Sequence, residues 1–168
     1  MSSLGGVREL DTDALGDTVD RLFRAAWALT GDRHEAEDLV QDTYARVLAR
    51  PRTLHGADDL GYLMRALQNQ HRSRFRRRRR RPAEVPLDTR LAARSPGPDA
   101  AYEASEMFAT IAALPDDARA AVVAVDVVGL SYAEAAALLD VKEATLTTRL
   151  HRARKRVAEL LDPQEARL

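Results

Sequence analysis

The residues best suited to chemistry in this chain are arginines, and they come in two runs. Residues 72–81 hold eight Arg and no acid, and Arg149 to Arg156 hold five basic residues and no acid. Elsewhere the balance reverses. Residues 1–42 carry ten acids against four Arg, and residues 99–143 carry nine acids against two basic residues. A formal net charge of zero therefore conceals two concentrated positive patches on acidic halves, a pattern that favours two separate polyanion contacts. A single Arg run is equally consistent with solvated surface. Two runs, each closing a helical segment, point to nucleic acid. Guanidinium groups fork onto phosphates and onto the O6 and N7 of guanine, although the scarcity of Lys (only Lys142 and Lys155) is a bias that genome composition also produces.

Other chemistries find no support. His34, His55, His71 and His151 are scattered without metal-ligand spacing, and His34-Glu35 lacks the second His of a zinc-protease helix. There is no phosphate-binding glycine loop and no nucleophile elbow, and the carboxylates fall on helix faces and caps. No catalytic residue, metal or cofactor is expected, and the chain reads as a non-enzyme. With no cysteine, disulfides and thiol-based sensing within this chain are excluded. The start, Met1 to Gly6, has neither a basic nor an apolar stretch, so no signal peptide is expected. No apolar run approaches the ~20 residues of a membrane-spanning helix, so the expected compartment is the cytoplasm.

The elements that position the arginines read as helices throughout. With aromatics at only 5%, a core must rest on Leu, Val and Ala, which favours packed helices over a sandwich of strands. A first helix from about Asp13 to Thr30 lines up Leu15, Val19, Leu22, Phe23, Ala26 and Leu29, and Gly31 stops it. Asp32 then caps a second helix, with Glu35 completing a capping-box pattern and a stripe of Ala36, Leu39, Val40, Thr43, Val47 and Leu48. A third helix, capped by Asp58-Asp59, buries Leu60, Leu63, Met64, Leu67, His71 and Phe75 and runs into the first Arg tract. Residues 82–98 hold four of the seven prolines and read as a flexible linker. Beyond it, a helix from Ala100 to Ala113 precedes one that follows Pro115, carries Ala118, Val122, Val125 and Val128, and ends at Gly129. Ser131 and Glu134 form a second capping box, opening a short helix to Leu139. After the turn Asp140-Val141-Lys142, a helix runs from about Glu143 to Leu161. That pair reads as a helix-turn-helix, whose second helix enters the major groove. Leu146, Leu150, Ala153 and Val157 face its core, and Thr145, Thr148, Arg149, Arg152 and Arg156 face outward.

The segments Gly129 to Ala136 and Thr145 to Arg154 resemble the region-4 signature of extracytoplasmic-function sigma factors. Ala36 to Thr43 is similar to that family's region 2.2, and Tyr62 to Asn69 resembles the segment that opens and reads the −10 element. The resemblance covers roughly residues 18–161 and implies an all-α fold of two small helical domains joined by a flexible linker. Residues 1–81 would form region 2, 82–99 the linker, 100–162 region 4 and 163–168 a tail. It implies a sigma factor that docks on RNA polymerase core, through the largest-subunit clamp helices and the flap, and reads promoter DNA, with an anti-sigma factor as a further partner. Asp38, Gln41 and Asp42 would face the polymerase. Asn69, Ser73, Arg74, Arg76 and Arg77 would hold the −10 strand. Lys142, Thr145, Thr147, Thr148, Arg149, His151 and Arg152 would meet the −35 element. The chain departs from the family pattern at Tyr62, where Trp is usual, at Ser73, where an acidic residue or Asn is usual, and at Thr147, which replaces a basic residue. Two other readings compete: a sigma-like decoy that sequesters an anti-sigma factor without binding DNA, and an activator with an unrelated N-terminal module. A decoy should lose the Arg residues at 74–77 and 149–156, which this chain keeps. The second helix and the Asn69 segment argue against the activator.

Overall fold

The computed structural model describes residues 12–49, 59–80 and 99–163. Their order is α1 (Thr12–Thr30), α2 (Arg33–Ala49), α3 (Asp59–Arg80), α4 (Asp99–Ala112), α5 (Asp116–Val122), α6 (Tyr132–Leu139) and α7 (Glu143–Leu161), with no strand among the described residues. The all-α expectation is met. The linker over 82–98, the cap at Asp58, and residues 1–11 and 164–168 lie outside the described residues.

The first unit packs α1, α2 and α3 against one another. Leu22, Leu39, Met64 and Leu67 are fully buried there, each contributing about 1.5–3 kcal/mol by leaving water. Gly31 separates α1 from α2 at φ +75°, the left-handed region that glycine enters without a Cβ clash. Its backbone N–H donates to the Trp27 carbonyl at 2.7 Å, closing the end of α1. Asp32 caps α2 as expected, its Oδ1 accepting from the Glu35 N–H at 2.9 Å. Glu35 does not close the box. Its carboxylate instead meets Arg78 of α3 at 3.1 Å.

Three side chains of the expected apolar stripes emerge into solvent. Leu48 is 64% exposed at the end of α2 and Val19 is 39% exposed on α1. Phe75, 44% exposed, lies under Arg79, whose guanidinium carbon is 5.1 Å from the ring centroid. Beyond His71, α3 carries only exposed or half-buried side chains, so its Arg-rich end projects from the core.

The second unit is built from α4 to α7. Pro115 precedes the first turn of α5, where its missing N–H costs nothing. The single helix expected to Val128 is interrupted. After Val122 it widens into a π-helical turn, Val123–Val127, and the Val128 N–H reaches back to the Val123 carbonyl at 3.0 Å. This turn buries Val123 and Ala124 and leaves Asp126 exposed. At Ser131 both halves of the capping box form, Glu134 N–H to Ser131 Oγ at 3.2 Å and Ser131 N–H to Glu134 Oε2 at 2.7 Å. Asp140 closes α6 in the left-handed region, φ 54°, a conformation that Asp tolerates better than bulkier residues.

The two units share one core. Helix α1 packs on α4, α5 and the π-turn, and α6 packs on α3. Trp27 of α1 packs against Phe108 of α4 with ring centroids 5.0 Å apart and the ring planes tilted by 51°. Gly31 matters here a second time, because a Cβ there would stand 2.8 Å from the Cβ of Ala112.

Candidate nucleic-acid and partner-binding site

The exposed face of α2 is set by its buried stripe. Ala36, Leu39, Val40 and Thr43 point inward, which leaves Asp38, Gln41 and Asp42 together on the outer surface. Thr43 is polar yet fully buried, and its hydroxyl donates to the Leu39 carbonyl at 2.7 Å, so it adds no unpaired group to the core. The acidic face is not independent of the Arg tract. Arg74 of α3 pairs with Asp42 and donates to the Asp38 carbonyl at 3.0 Å. The Arg74 guanidinium holds the Asp42 carboxyl below the usual carboxylate range.

On α3, Asn69, Ser73, Arg76 and Arg77 fall at intervals of four, three and one residues, a single strip along the helix. Asn69, Arg76 and Arg77 are exposed, and Ser73 is half-buried. Arg74, grouped with them from the sequence, is turned toward α2, and its side chain is 26% exposed. Neighbours of Asn69 behave differently from their polar types: Gln68 and Gln70 are buried, and Gln68 Nε2 has no hydrogen-bond partner among the described residues. The first Arg run is thus divided in use. Arg74 and Arg78 tie α3 to α2, Arg79 covers Phe75, and Arg76 and Arg77 make no ion pair among the described residues.

The helix-turn-helix is formed as read. Leu146, Leu150 and Ala153 are buried, and Lys142, Thr145, Thr147, Thr148, His151 and Arg152 are exposed. The hydroxyls of Thr147 and Thr148 donate back to the carbonyls of Glu143 and Ala144 at 2.9 and 3.1 Å. Arg149 is half-buried and pairs with Asp117 of α5 at 3.3 Å. Arg154 makes a fork with Asp126, Nη2 to Oδ1 at 2.6 Å and Nε to Oδ2 at 3.0 Å, which raises its pKa further. It therefore fastens α7 to the π-turn. Arg156 meets Glu159 at 3.3 Å. Arg152 and Lys155 are the exposed cations of this run without an ion pair among the described residues.

A groove of about 510 Å³ runs between α1, α4, the π-turn and α7, lined by Met107, Phe108, Ile111 and Val157, with Arg24 and Asp126 beside it. Among the described residues no cluster of three or more His, Asp or Glu is arranged to hold a metal ion, and no helix is long and apolar enough to cross a membrane.

Sequence reasoning missed Arg119. Between residues 99 and 143 only Arg119 and Lys142 are basic, so its isolation in an acidic stretch was the available signal. Its side chain is 15% exposed and bonds to groups of both units.

Residues 17–81 match the model of Sigma-70 region 2, and residues 105–157 match that of Sigma-70, region 4. An ECF RNA polymerase sigma factor SigE of Mycolicibacterium smegmatis is 38% identical over 149 residues, 85% of this chain and 58% of that protein. An ECF RNA polymerase sigma factor EcfG of Rhodopseudomonas palustris is 35% identical over 156 residues, 89% of this chain and 86% of that protein. Among solved structures, the sigma factor RpoE in complex with the anti-sigma factor NepR from Bartonella quintana superposes with a TM-score of 0.68 at 26% identity, covering 89% of this chain and 94% of that one. CnrH, in complex with the cytosolic domain of CnrY, shares the fold with a TM-score of 0.61 at 23% identity, over 92% of this chain and 91% of that one.

Proposed function

The chain belongs to the extracytoplasmic-function sigma factors, and we propose that it binds RNA polymerase core and directs it to promoters by reading their −10 and −35 elements. The observation that carries this reading is the pairing, in one chain, of a region-2 unit with an exposed Asn–Arg strip and a region-4 helix-turn-helix with an exposed Thr–Arg strip. Residues 1–81 serve as region 2, 82–99 as the linker, 100–162 as region 4 and 163–168 as a tail.

Asp38, Gln41 and Asp42 form the polymerase contact, meeting the clamp helices of its largest subunit, while region 4 meets the flap and promoter DNA together. Asn69 takes an unpaired base of the −10 element, since single-stranded bases are read once turned out of the stack. Arg76 and Arg77, which meet no competing carboxylate among the described residues, hold the adjacent phosphates, with Ser73 beside them. Arg74 contributes by holding α3 to α2. On α7, Arg152 reads or grips the −35 element directly, and Arg149 joins it when it leaves Asp117. Lys142, Thr145, Thr147, Thr148 and His151 complete that contact.

Phosphodiester chemistry belongs to the polymerase, so this chain acts without a catalytic residue or cofactor of its own, in the cytoplasm. An anti-sigma factor is a further partner, as the RpoE relative was crystallised with one. The reading is tested by titrating labelled chain with core enzyme and then with promoter DNA. Tight binding to core, followed by salt-sensitive binding of the complex to promoter, supports it. Binding to an anti-sigma factor with none to core or DNA favours a decoy.

A further inference from the structure

We infer that Arg119 is the latch of a closed form in which region 4 is locked onto region 2, and that the latch must open before both promoter elements are engaged. The inference rests on the proposed sigma function for its consequence, but the latch itself is a property of the free chain.

Arg119 sits on α5 and reaches out of its own unit. Its Nη1 donates to the Leu29 carbonyl of α1 at 3.3 Å and lies 3.4 Å from Nε2 of His71 on α3. Its Nη2 donates to the Leu114 carbonyl at 3.0 Å and to Asp116 Oδ1 at 3.1 Å. One guanidinium thus joins α1, α3 and α5. The Leu29 carbonyl belongs to the last turn of α1, where no intrahelical partner exists and a cation is favoured. The Nε of Arg119 is buried without a hydrogen-bond partner among the described residues. An Arg retained at such a cost is strung between two units for its long-range contacts, because a shorter apolar side chain would serve the α5 core better. Three further contacts close the same junction: the tilted Trp27–Phe108 ring pair, the fit of Ala112 over Gly31, and Gly129 packed beside Arg21.

Size shows why the closed form cannot span a promoter. A compact chain of 168 residues has a radius of gyration of roughly 15 Å and a diameter of about 40 Å. Positions −10 and −35 lie ~25 base pairs apart, or about 85 Å at 3.4 Å per pair. The docked units reach less than half of that. The eighteen residues 81–98 have a contour of roughly 60 Å when extended, enough to make up the difference once the units part.

The chain suits a direct test, because it has no cysteine and a single Trp, which stands at the junction. Spin labels at Glu37→Cys on α2 and Lys155→Cys on α7 report the distance between units, and Trp27 emission reports solvent entry. In the free full-length chain a single short distance is expected. Arg119→Met should raise the open fraction on the order of tenfold, the factor carried by one charge-assisted hydrogen bond, with longer distances, red-shifted Trp27 emission and unchanged helical circular dichroism. Ala112→Leu wedges the junction against Gly31 without touching Arg119 and should open it as well, so a folding defect of one variant leaves the other decisive. A wild-type chain already broadly distributed, or two folded variants with the wild-type distance distribution, would overturn the latch. Neither result depends on polymerase or DNA, so a failed latch and a failed sigma assignment are told apart.

Discussion

Swapping the partners of the Asp42–Arg74 pair separates the strut that Asp42 forms with α3 from the polymerase contact proposed for it. Arg74→Ala removes the ion pair and the hydrogen bond to the Asp38 carbonyl. Asp42 is 51% exposed and Arg74 26% exposed, so the pair lies between a surface bridge and a buried one. A loss of about 1–2 kcal/mol is expected from those two contacts, lowering the melting temperature by roughly 2–4 °C per kcal/mol for a chain of this length. Asp42→Arg should cost a similar amount, since it sets two guanidinium groups side by side. The exchange Asp42→Arg/Arg74→Asp should recover about 0.5–1 kcal/mol of coupling and part of the melting temperature. It leaves the acidic face reversed in sign at position 42, so affinity for core polymerase should stay as low as in Asp42→Arg alone. Thermal melts followed by circular dichroism and binding of labelled chain to core measure the two quantities independently. If the exchange restores core affinity to the wild-type value, Asp42 acts only as a strut for α3, and its assignment as a polymerase contact is wrong.

Three further outcomes follow from the same geometry. Asn69→Ala should impair promoter opening, seen by permanganate footprinting, more than closed-complex binding, whereas Arg76→Ala should weaken binding across sequences and reduce the salt slope by about one. Asp117→Asn should release Arg149 and strengthen region-4 contact with DNA, while Arg152→Ala should weaken it; a −35 saturation library transcribed with each variant shows whether the loss falls on one base or on all sequences alike. His71 should make closure pH-dependent. Burial, and then Arg119, lower its pKa, with Asp116 and Glu35 opposing and Arg78 adding to the effect. The closed form therefore favours neutral His71, and the open form titrates nearer the ordinary value of about 6.5. Acidification through that range should favour opening, read by Trp27 emission between roughly pH 7.5 and 5.5, and His71→Gln should flatten the profile.

What was legible in the sequence was what local chemistry determines. Ser131 and Glu134 announce the start of α6, and the spacing of Leu146, Leu150 and Ala153 fixes the outward strip of α7, because a cap and a 3.6-residue period act within one helix. Leu48 and Phe75 continued their stripes by period alone, yet no core meets them where α2 ends and α3 projects. The π-turn at Val123–Val127 was hidden because a run of valines reads equally as an unbroken helix. The arginines were the hardest to assign. Their number pointed to nucleic acid, but Arg74, Arg149 and Arg154 meet carboxylates 32, 32 and 28 positions away, partners that only the packing of helices supplies. Arg119, strung between three helices, belongs to the same class.

The central claim is most directly met by run-off transcription from polymerase core, with and without this chain, on a library of random promoter DNA. Transcripts are expected only when the chain is present, from templates sharing two short motifs separated by a fixed spacer, with Arg152→Ala relaxing or weakening the upstream motif and Asn69→Ala the downstream one. Core that binds the chain yet initiates on no template above background, or initiates without any shared motif, would contradict it.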